Sequence, residues 1–223
     1  PAIAPNGTLT YTLAGNKNGT ATITIVLMDD GGILDGGVNT SATQSFTITA
    51  TAVNDAPSFV KGPNQTPLED APAQSISGWA TNISAGPADE NGQLLTFTVV
   101  SNSNPALFSV APAITSDGTL TYRLAANANG TANISVRLSD NGGTGNTGVD
   151  TSASQLFSIT ATAVNDAPSF AMAGDQQVLE DSVIGPVSGW ATAIYAGPGD
   201  ESAQVLSFNV TGNSNPGLFS AGP

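Results

Sequence analysis

The sequence contains no cysteine and no histidine, and only four of its 223 residues are basic. Without thiols it forms no disulfide, and without thiolate or imidazole it lacks the ligands that soft and borderline metals prefer. Its 17 acidic residues give a formal net charge of −13. Because such a surface repels phosphate backbones and anionic lipid, we expect no nucleic-acid partner and no role at an anionic membrane surface.

Long apolar runs are also missing. None approaches the roughly 18 residues that a membrane span needs, and the first residues, PAIAPNGTLT, have neither the basic nor the apolar region of a signal peptide. We therefore expect any targeting or anchoring segment to lie outside this sequence. Charged residues make up only 9%, but the 39% of hydrophobic residues is sufficient for a core, so low charge does not indicate disorder.

What the sequence has is a long internal repeat. Shifted by 111 residues, without a gap, it is identical to itself at 65 of 111 positions, and the stretch VNDAPSF at 53–59 recurs at 164–170. A unit of this length buries its own core, since domains of about 100 residues commonly fold alone. The chain is therefore a tandem array of one kind of domain.

Alternation of polar and apolar residues predicts strands throughout the repeat. Runs such as GTLTYTLA and QLFSITATAV are rich in Thr, Val, Ile, Phe and Tyr, and Gly, Asn, Asp and Pro bound them. Strands are predicted near residues 65–70, 74–83, 93–100, 106–110, 118–125, 130–139 and 154–163. About seven short strands in about 100 residues are typical of an immunoglobulin-like β-sandwich. The fold class is all-β: tandem immunoglobulin-like or cadherin-like β-sandwich domains.

The inward-facing apolar positions predict the core of the repeat. They are Phe59, Leu68, Trp79, Ile83, Leu95, Phe97, Leu107, Phe108, Leu120, Tyr122, Ile134, Val136, Phe157 and Ile159. Trp79 and its copy Trp190 are interpreted as core residues, because sandwiches of this class commonly bury a tryptophan.

Prolines place the linkers between units. Pro57 and Pro168 cannot donate to a sheet ladder and fit best between one strand and the next. We therefore assign linkers at 53–57 and 164–168. Residues 1–52 are then the C-terminal half of one sandwich, 58–163 a complete sandwich, and 169–223 the N-terminal half of a third. Both ends fall within a repeat, so we expect the sequence to be a window on a longer array.

Six acidic positions recur at the repeat distance. They are Asp29/Asp140, Asp55/Asp166, Glu69/Glu180, Asp70/Asp181, Asp89/Asp200 and Glu90/Glu201. In a sandwich of alternating strands, the loops with Asp89, Glu90 and Asp140 are expected to face the linker at Asp55. Carboxylates that converge in this way repel each other unless a cation lies among them, and oxygen ligands spread over several loops suit calcium. The alternative is that they form Asx-turns and loop tips, and spacing alone leaves both open.

The VNDAPSF linker, the stretch from Leu95 to Gly143 and the LED at 68–70 resemble the cadherin repeat, in the bacterial form found in giant surface proteins. The resemblance covers essentially the whole chain. It implies an extracellular location at the bacterial surface and structural Ca²⁺ between units. The ligands that it implies are Asn54, Asp55, Glu69, Asp89, Glu90, Asp140, Asn165, Asp166, Glu180, Asp200 and Glu201, with Asp29 as the copy of Asp140.

The chain departs from the pattern of that family at two places. Alanines at 52, 56, 163 and 167 stand where the family's linker motif begins with Asp and ends with Asn, and an acidic loop is replaced by AGNKNGT and AANANGT. Neutral oxygens remain there on Asn16, Asn18, Asn127 and Asn129. Fewer charged ligands predict one or two ions per joint, or weak sites with dissociation constants of about 10⁻⁴ to 10⁻³ M.

Nearly identical copies favour a structural function, because a spacer needs copies and a catalyst does not. We expect a secreted bacterial adhesin stalk whose partners are neighbouring repeats of the same protein. One alternative is a surface-binding module, in which alternating threonines present hydroxyls to a glycan or a crystal. Another, if the ends are natural, is a filament in which complementary half-domains join head to tail. We do not expect an enzyme, since the paired carboxylates recur at joints and no His or Cys is available for nucleophilic chemistry.

Overall fold

The structure is a computed structural model that describes residues 1–221. Within them the regular structure is β-strand and short 3₁₀ turns, without an α-helix, as the all-β prediction requires. The strands are β1 (Ala2–Ile3), β2 (Leu9–Thr10), β3 (Gly19–Ile25), β4 (Gln44–Ala50), β5 (Ser58–Val60), β6 (Gln74–Ile76), β7 (Thr81–Ser84), β8 (Thr96–Asn102), β9 (Phe108–Ile114), β10 (Leu120–Leu124), β11 (Gly130–Ser139), β12 (Gln155–Ala161), β13 (Ser169–Met172) and β14 (Ala191–Tyr195). Residues 222 and 223 of the predicted third unit lie outside the described part.

The described residues include no helix that is both long and apolar enough to cross a membrane.

The central unit, residues 58–163, is a β-sandwich. One antiparallel sheet has the order β12-β11-β8, a second has the order β6-β10-β9, and β5 pairs with β7. Strand β11 is the longest, and pairs with β12 from Gly130↔Ala161 to Val136↔Gln155. Its other edge pairs with β8 from Ile134↔Asn102 to Ser139↔Thr96. The tandem β-sandwich fold class predicted from the sequence is therefore confirmed.

Alternating residues of the two sheets build the core. On β11 the side chains of Ala132, Ile134, Val136 and Leu138 are fully buried, while the residues between them face outward. Trp79 lies against Phe157, with ring centroids 4.5 Å apart. The indole N–H of Trp79 donates to the carbonyl of Pro63 at 2.9 Å, so the buried polar group of this side chain is satisfied. The prediction that Trp79 is a core residue is confirmed. The same prediction for Trp190 is wrong, because this side chain is 37% exposed and Phe46, the copy of Phe157, lies among residues 1–52 rather than in the unit of Trp190.

Thirteen of the fourteen predicted core residues belong to the core cluster or lie against it. Leu68 does not, and is 57% exposed. The strand predicted over 65–70 does not form, because only isolated parallel bridges hold this segment, from Gln65 to Ile159 of β12 and from Leu68 to Thr162 just after β12. The alternation of an extended chain then turns Glu69 inward and Leu68 outward.

The prediction of one strand over 74–83 is also wrong, because the chain turns at Gly78 (φ +64°) and divides that segment into β6 and β7.

The strands outside the central unit repeat its registers. Ala2↔Thr10 on β1 and β2 corresponds to Ala113↔Thr121 on β9 and β10. Gly19↔Ala50 corresponds to Gly130↔Ala161, and Ser169↔Tyr195 to Ser58↔Ser84. The 111-residue repeat of the sequence is thus also a repeat of backbone pairing. We call residues 1–52 the N-terminal half-unit and residues 169–221 the C-terminal half-unit.

Candidate metal sites at the two linkers

The first linker is held to the central unit through the side chain of Asn54. Its Nδ2 donates to Asp140 Oδ1 at 3.0 Å and to the carbonyl of Val149 at 2.7 Å. Its Oδ1 accepts from Gln93 Nε2 at 2.7 Å. The glycine at 142 permits this close approach, because a Cβ at that position would overlap Asn54 Oδ1. Asp140 therefore meets the linker at Asn54, and not at Asp55 as the sequence predicted.

Glu90 is a buried carboxylate beside the same linker. It lies in the 3₁₀ turn Ala88–Glu90 between β7 and β8. Its Oε1 accepts from the backbone N–H of Asp55 at 2.9 Å, but its buried Oε2 has no hydrogen-bond partner. Gly86, with φ +155°, lies against this oxygen, and a Cβ there would overlap it. The side chain of Asp55 itself is exposed.

Among the residues that the structure describes, three buried oxygens around the first linker have no hydrogen-bond partner. They are Glu90 Oε2, Asp140 Oδ2 and Gln93 Oε1. A buried acceptor without a donor is costly, and a buried carboxylate more so. All three are oxygen donors of the kind that Ca²⁺ prefers, so the chemistry of the donor set, rather than its arrangement, suits a hard cation.

The second linker repeats this geometry. The backbone N–H of Asp166 donates to Glu201 Oε1 at 2.7 Å, and the buried Glu201 Oε2 again has no partner. A Cβ on Gly197 would overlap that oxygen, as one on Gly86 would overlap Glu90 Oε2. Gln204 Nε2 donates to Asn165 Oδ1 at 3.0 Å, in the manner of Gln93 and Asn54.

Glu69 brings a carboxylate of the central unit to the second linker. It is 3% exposed, its Oε1 accepts from the backbone N–H of Val164 at 2.6 Å, and its Oε2 accepts from Asn129 Nδ2 at 3.2 Å. The second linker is therefore enclosed by acids from the unit before it and from the half-unit after it.

The pKa of Asp166 reflects this crowding. Partial removal of water raises the pKa of its carboxyl above the usual range, and the negative charges of Glu201, Asp70, Glu69 and Asp200 raise it further. In ionised form these carboxylates repel each other, and a divalent cation among them would relieve that repulsion.

Asparagine side chains cross both joints. Asn129 Nδ2 donates to Asp200 Oδ2 at 2.8 Å, and Asn18 Nδ2 donates to Asp89 Oδ2 at 2.6 Å. The sequence predicts these asparagines as neutral oxygen ligands, but in the structure their nitrogens face the carboxylates. The reason is that a carboxylate only accepts, so the amide beside it presents its donor.

The structure joins most of the predicted site residues into two groups. Asn54, Asp89, Glu90 and Asp140 lie at the first linker with Asp55, and Glu69, Asn165, Asp166, Asp200 and Glu201 lie at the second. Glu180 is exposed, and within residues 1–221 no hydrogen bond ties its side chain to either linker. Over the same residues, no group of three or more His, Cys, Asp or Glu side chains is arranged so that it could hold a metal ion.

Sequence reasoning missed Gln93 and Gln204, which hold the linker asparagines. Both are polar residues three positions after the buried glutamate, and both recur at the repeat distance. Their recurrence was a signal for a role at the linker, but the predicted site contained only acidic residues and asparagines.

The sheets and their registers define a β-sandwich of the immunoglobulin-like class. Residues 54–152, less than half of the chain, match the family model of the bacterial Ig domain. No curated protein sequence matches the chain.

Solved structures similar to this chain include two of protocadherin-24. A human protocadherin-24 EC1-2 structure is 16% identical, covers 72% of this chain and 75% of its own, and has a TM-score of 0.49. A mouse protocadherin-24 EC1-3 structure is 22% identical, covers 72% of this chain and 52% of its own, and has a TM-score of 0.44. Because these TM-scores lie below 0.5, the fold assignment rests on the strands described above.

Proposed function

We propose that this chain is a structural, non-enzymatic repeat segment of a bacterial protein at the cell surface, an adhesin stalk whose joints are stiffened by calcium. The observation that carries the proposal is the same at both linkers. A buried glutamate, Glu90 or Glu201, binds the linker backbone with one oxygen and leaves the other without a partner. The match to the bacterial Ig domain model supports a module of an exported protein.

Calcium is the cation that these residues suit best. At the second linker Glu69, Asp166, Asp200 and Glu201 would supply carboxylate oxygens, and at the first linker Asp89, Glu90, Asp140 and Gln93 would supply carboxylate and amide oxygens. When bound, the ion would neutralise the repulsion among these groups. Flexible oxygen ligands from several loops are typical of Ca²⁺, whereas Mg²⁺ requires a stricter octahedron.

A cation at these positions would act mechanically. Glu69 belongs to the central unit, Asp166 to the linker, and Asp200 to the half-unit that follows. An ion that binds all three restricts the linker, and a restricted linker holds successive units in line, which a spacer requires.

Hydrogen-bonded pairs of threonines on neighbouring strands favour the stalk over the surface-binding alternative. Thr20 Oγ1 and Thr49 Oγ1 lie 3.0 Å apart across β3 and β4, and Thr131 and Thr160 form the same pair on β11 and β12. Each pair uses one hydroxyl proton within the sheet, which leaves fewer donors for a glycan or a crystal surface. Such cross-strand pairs stabilise a sheet in their own right.

A thermal melt tests the calcium joints. The full chain is unfolded in millimolar calcium, in the same concentration of magnesium and in chelator. At the predicted dissociation constants of about 10⁻⁴ to 10⁻³ M, millimolar calcium adds about 0.4–1.4 kcal/mol to the free energy of unfolding, which raises Tm by a few degrees for a domain of this size. We expect calcium to exceed magnesium, and Asp166→Ala to reduce the calcium shift.

Asp175→Ala is the matched control, because Asp175 is an exposed acid outside both linkers. It is expected to keep the full calcium shift. Superimposable melts of the unsubstituted chain with and without calcium would refute the calcium joints and leave the acidic residues as turn and linker contacts.

A further inference from the structure

A lysine distinguishes the first joint, which is the first linker with the residues that contact it, from the second. The loop before β3 reads AGNKNGT, and the loop before β11, at the repeat distance, reads AANANGT. Lys17 therefore takes the position of Ala128, between two asparagines in both loops. Because only four residues of the chain are basic, a lysine in a loop that faces a linker changes the charge of that joint substantially.

The complete central unit shows what surrounds this loop position. The backbone N–H of Asn127 donates to Asp70 Oδ1 at 2.9 Å. Asn129 Nδ2 donates to Glu69 Oε2 at 3.2 Å and to Asp200 Oδ2 at 2.8 Å. The residue between the two asparagines is thus flanked by contacts to three carboxylates. A lysine at this position brings an ammonium group into an acidic joint.

The first joint has the lysine at that position. Lys17, Asn18, Asp55 and Asp89 are among the residues that line one cavity of about 210 Å³, and Asn18 Nδ2 donates to Asp89 Oδ2 at 2.6 Å. Lys17 adjoins Asn18, and its flexible four-carbon stem is long enough to bring the ammonium to either carboxylate across the cavity.

The stem of the lysine has a place of its own. Ala128, at the same position of the central unit, is partly buried and packs against the edge of the core. A longer side chain there covers that edge with its methylene groups and keeps its charged end in the water of the joint. The position therefore accepts an alanine or a lysine, and the choice decides the charge.

The acids of the first joint need a counter-charge. Glu90 Oε2 and Asp140 Oδ2 are buried without a hydrogen-bond partner, and Asp55 and Asp89 add two exposed carboxylates. A positive charge a few ångströms from such a group offsets the mutual repulsion of the carboxylates, as a metal ion would. It also weakens the attraction of the same carboxylates for a second cation.

We propose that the ammonium of Lys17 is a built-in counter-charge of the first joint, which stiffens this joint without calcium and weakens calcium binding there. Its repeat counterpart, Ala128, gives the second joint no such charge. The stiffening depends on the charges of the chain alone, whereas the effect on calcium rests on the proposed function. Joints of one array thus differ in their dependence on calcium according to the residue between the two asparagines.

The amide groups of the two linkers report on each joint separately. Glu90 accepts from the N–H of Asp55, and Glu201 accepts from the N–H of Asp166. Nuclear magnetic resonance of the full, isotope-labelled chain follows both amides in one sample. Backbone nitrogen relaxation in chelator measures the motion of each linker, and the amide shifts during a calcium titration give an affinity for each joint.

Lys17→Met removes the charge and keeps the length of the side chain. In chelator it is expected to increase the motion of the Asp55 amide and to leave that of the Asp166 amide unchanged. In the calcium titration it should tighten binding at Asp55 by about fivefold, because the ion no longer meets a positive charge nearby.

The reciprocal change places a lysine in the second joint. Ala128→Lys and Ala128→Met introduce side chains of similar length, so a comparison of the two isolates the charge from the packing. Relative to Ala128→Met, Ala128→Lys should reduce the motion of the Asp166 amide in chelator. It should also weaken calcium binding at Asp166 by about fivefold.

Arg123→Met is the matched control, because it removes the same charge from an exposed position on β10. It is expected to change neither the motion nor the calcium affinity at Asp55, and cooperative melting of every variant verifies folding. Unchanged motion at Asp55 in Lys17→Met would overturn the proposal, as would an unchanged affinity there in a chain that binds calcium. Linker amides that do not respond to calcium, with Asp55 still more mobile in Lys17→Met, would support the built-in charge and refute the calcium joints.

Discussion

Asn129 of the central unit donates its side-chain amide to Asp200 of the next half-unit, 2.8 Å away across the second linker. Asn18 makes the same contact to Asp89 across the first linker, at 2.6 Å. In both loops the sequence has an amide where the repeat that it resembles has acids. The joint thus has a direct hydrogen bond between units that needs no cation, and fewer charges that need one.

Asn129→Asp separates these two contributions. The new carboxylate would join Glu69, Asp166, Asp200 and Glu201, so without calcium the added repulsion should lower Tm by a few degrees. With calcium the extra charged ligand should tighten binding by about tenfold. Calorimetric titration and melts in chelator measure the two effects. Asn129→Ala removes the hydrogen bond without adding charge, and should lower Tm without tightening calcium binding; equal affinities for the two variants would contradict the prediction.

The raised pKa of Asp166 predicts how the calcium-free joint responds to pH. The folded pKa of this group lies above its ordinary value of 3.8. Its favourable contribution to the free energy of unfolding is therefore fully present below 3.8. That contribution is lost as the pH rises through the folded pKa. In metal-free buffer, this group should make the folded joint more stable as the pH falls from neutral through the folded pKa.

Asp166→Asn tests that assignment, because it removes the titrating group and keeps its shape. Melts over the same pH range should show a weaker dependence in the variant, and a higher Tm than the unsubstituted chain at neutral pH. In calcium the trend of the unsubstituted chain should reverse, since protonation removes a ligand. A variant with an unchanged pH dependence would show that other carboxylates dominate.

The sequence predicted the class of fold and nearly the whole core, because both follow from local alternation. Leu68 and Glu69 show where such reasoning fails: both lie in the LED stretch, and only the parallel contact of that segment with β12 determines which one faces inward. Hydrophobicity predicts that the leucine is the buried residue. In the structure the backbone N–H of Val164 in the linker donates to the glutamate, which is buried instead.

The candidate sites were predicted as sets of acids, and the structure adds how each acid is held. That Glu90 and Glu201 bind the linker backbone follows from the turn before β8, which brings the glutamate under the peptide N–H of Asp55 or Asp166. No spacing rule encodes that contact. The same is true of Gln93, whose position beside Asn54 depends on the loop after β11 at Gly142.

Gly86→Ala should damage the first joint more than another glycine in the same loop. A Cβ at Gly86 would overlap Glu90 Oε2 and would also require φ +155°, a conformation that favours glycine. Around Gly92 nothing lies within 4 Å of the added atom. We expect Gly86→Ala to destabilise the fold by about 1–3 kcal/mol, and Gly92→Ala to change it by less than about 0.5 kcal/mol. Urea denaturation measures both, and equal effects would show that Glu90 moves freely out of its position.

The two tryptophans offer a test of what the second half of a sandwich contributes. Trp79 is buried against Phe157. Trp190 makes the corresponding hydrogen bond, to the carbonyl of Gly174 at 3.0 Å, but Phe46, the copy of Phe157, lies in the other half-unit. Trp79→Ala should cost the central unit about 3–5 kcal/mol, and at low concentration Trp190→Ala should cost less than about 1 kcal/mol. Because the chain has only these two indoles, fluorescence during urea denaturation follows each in the absence of the other. Equal losses of stability in the two variants would contradict the prediction.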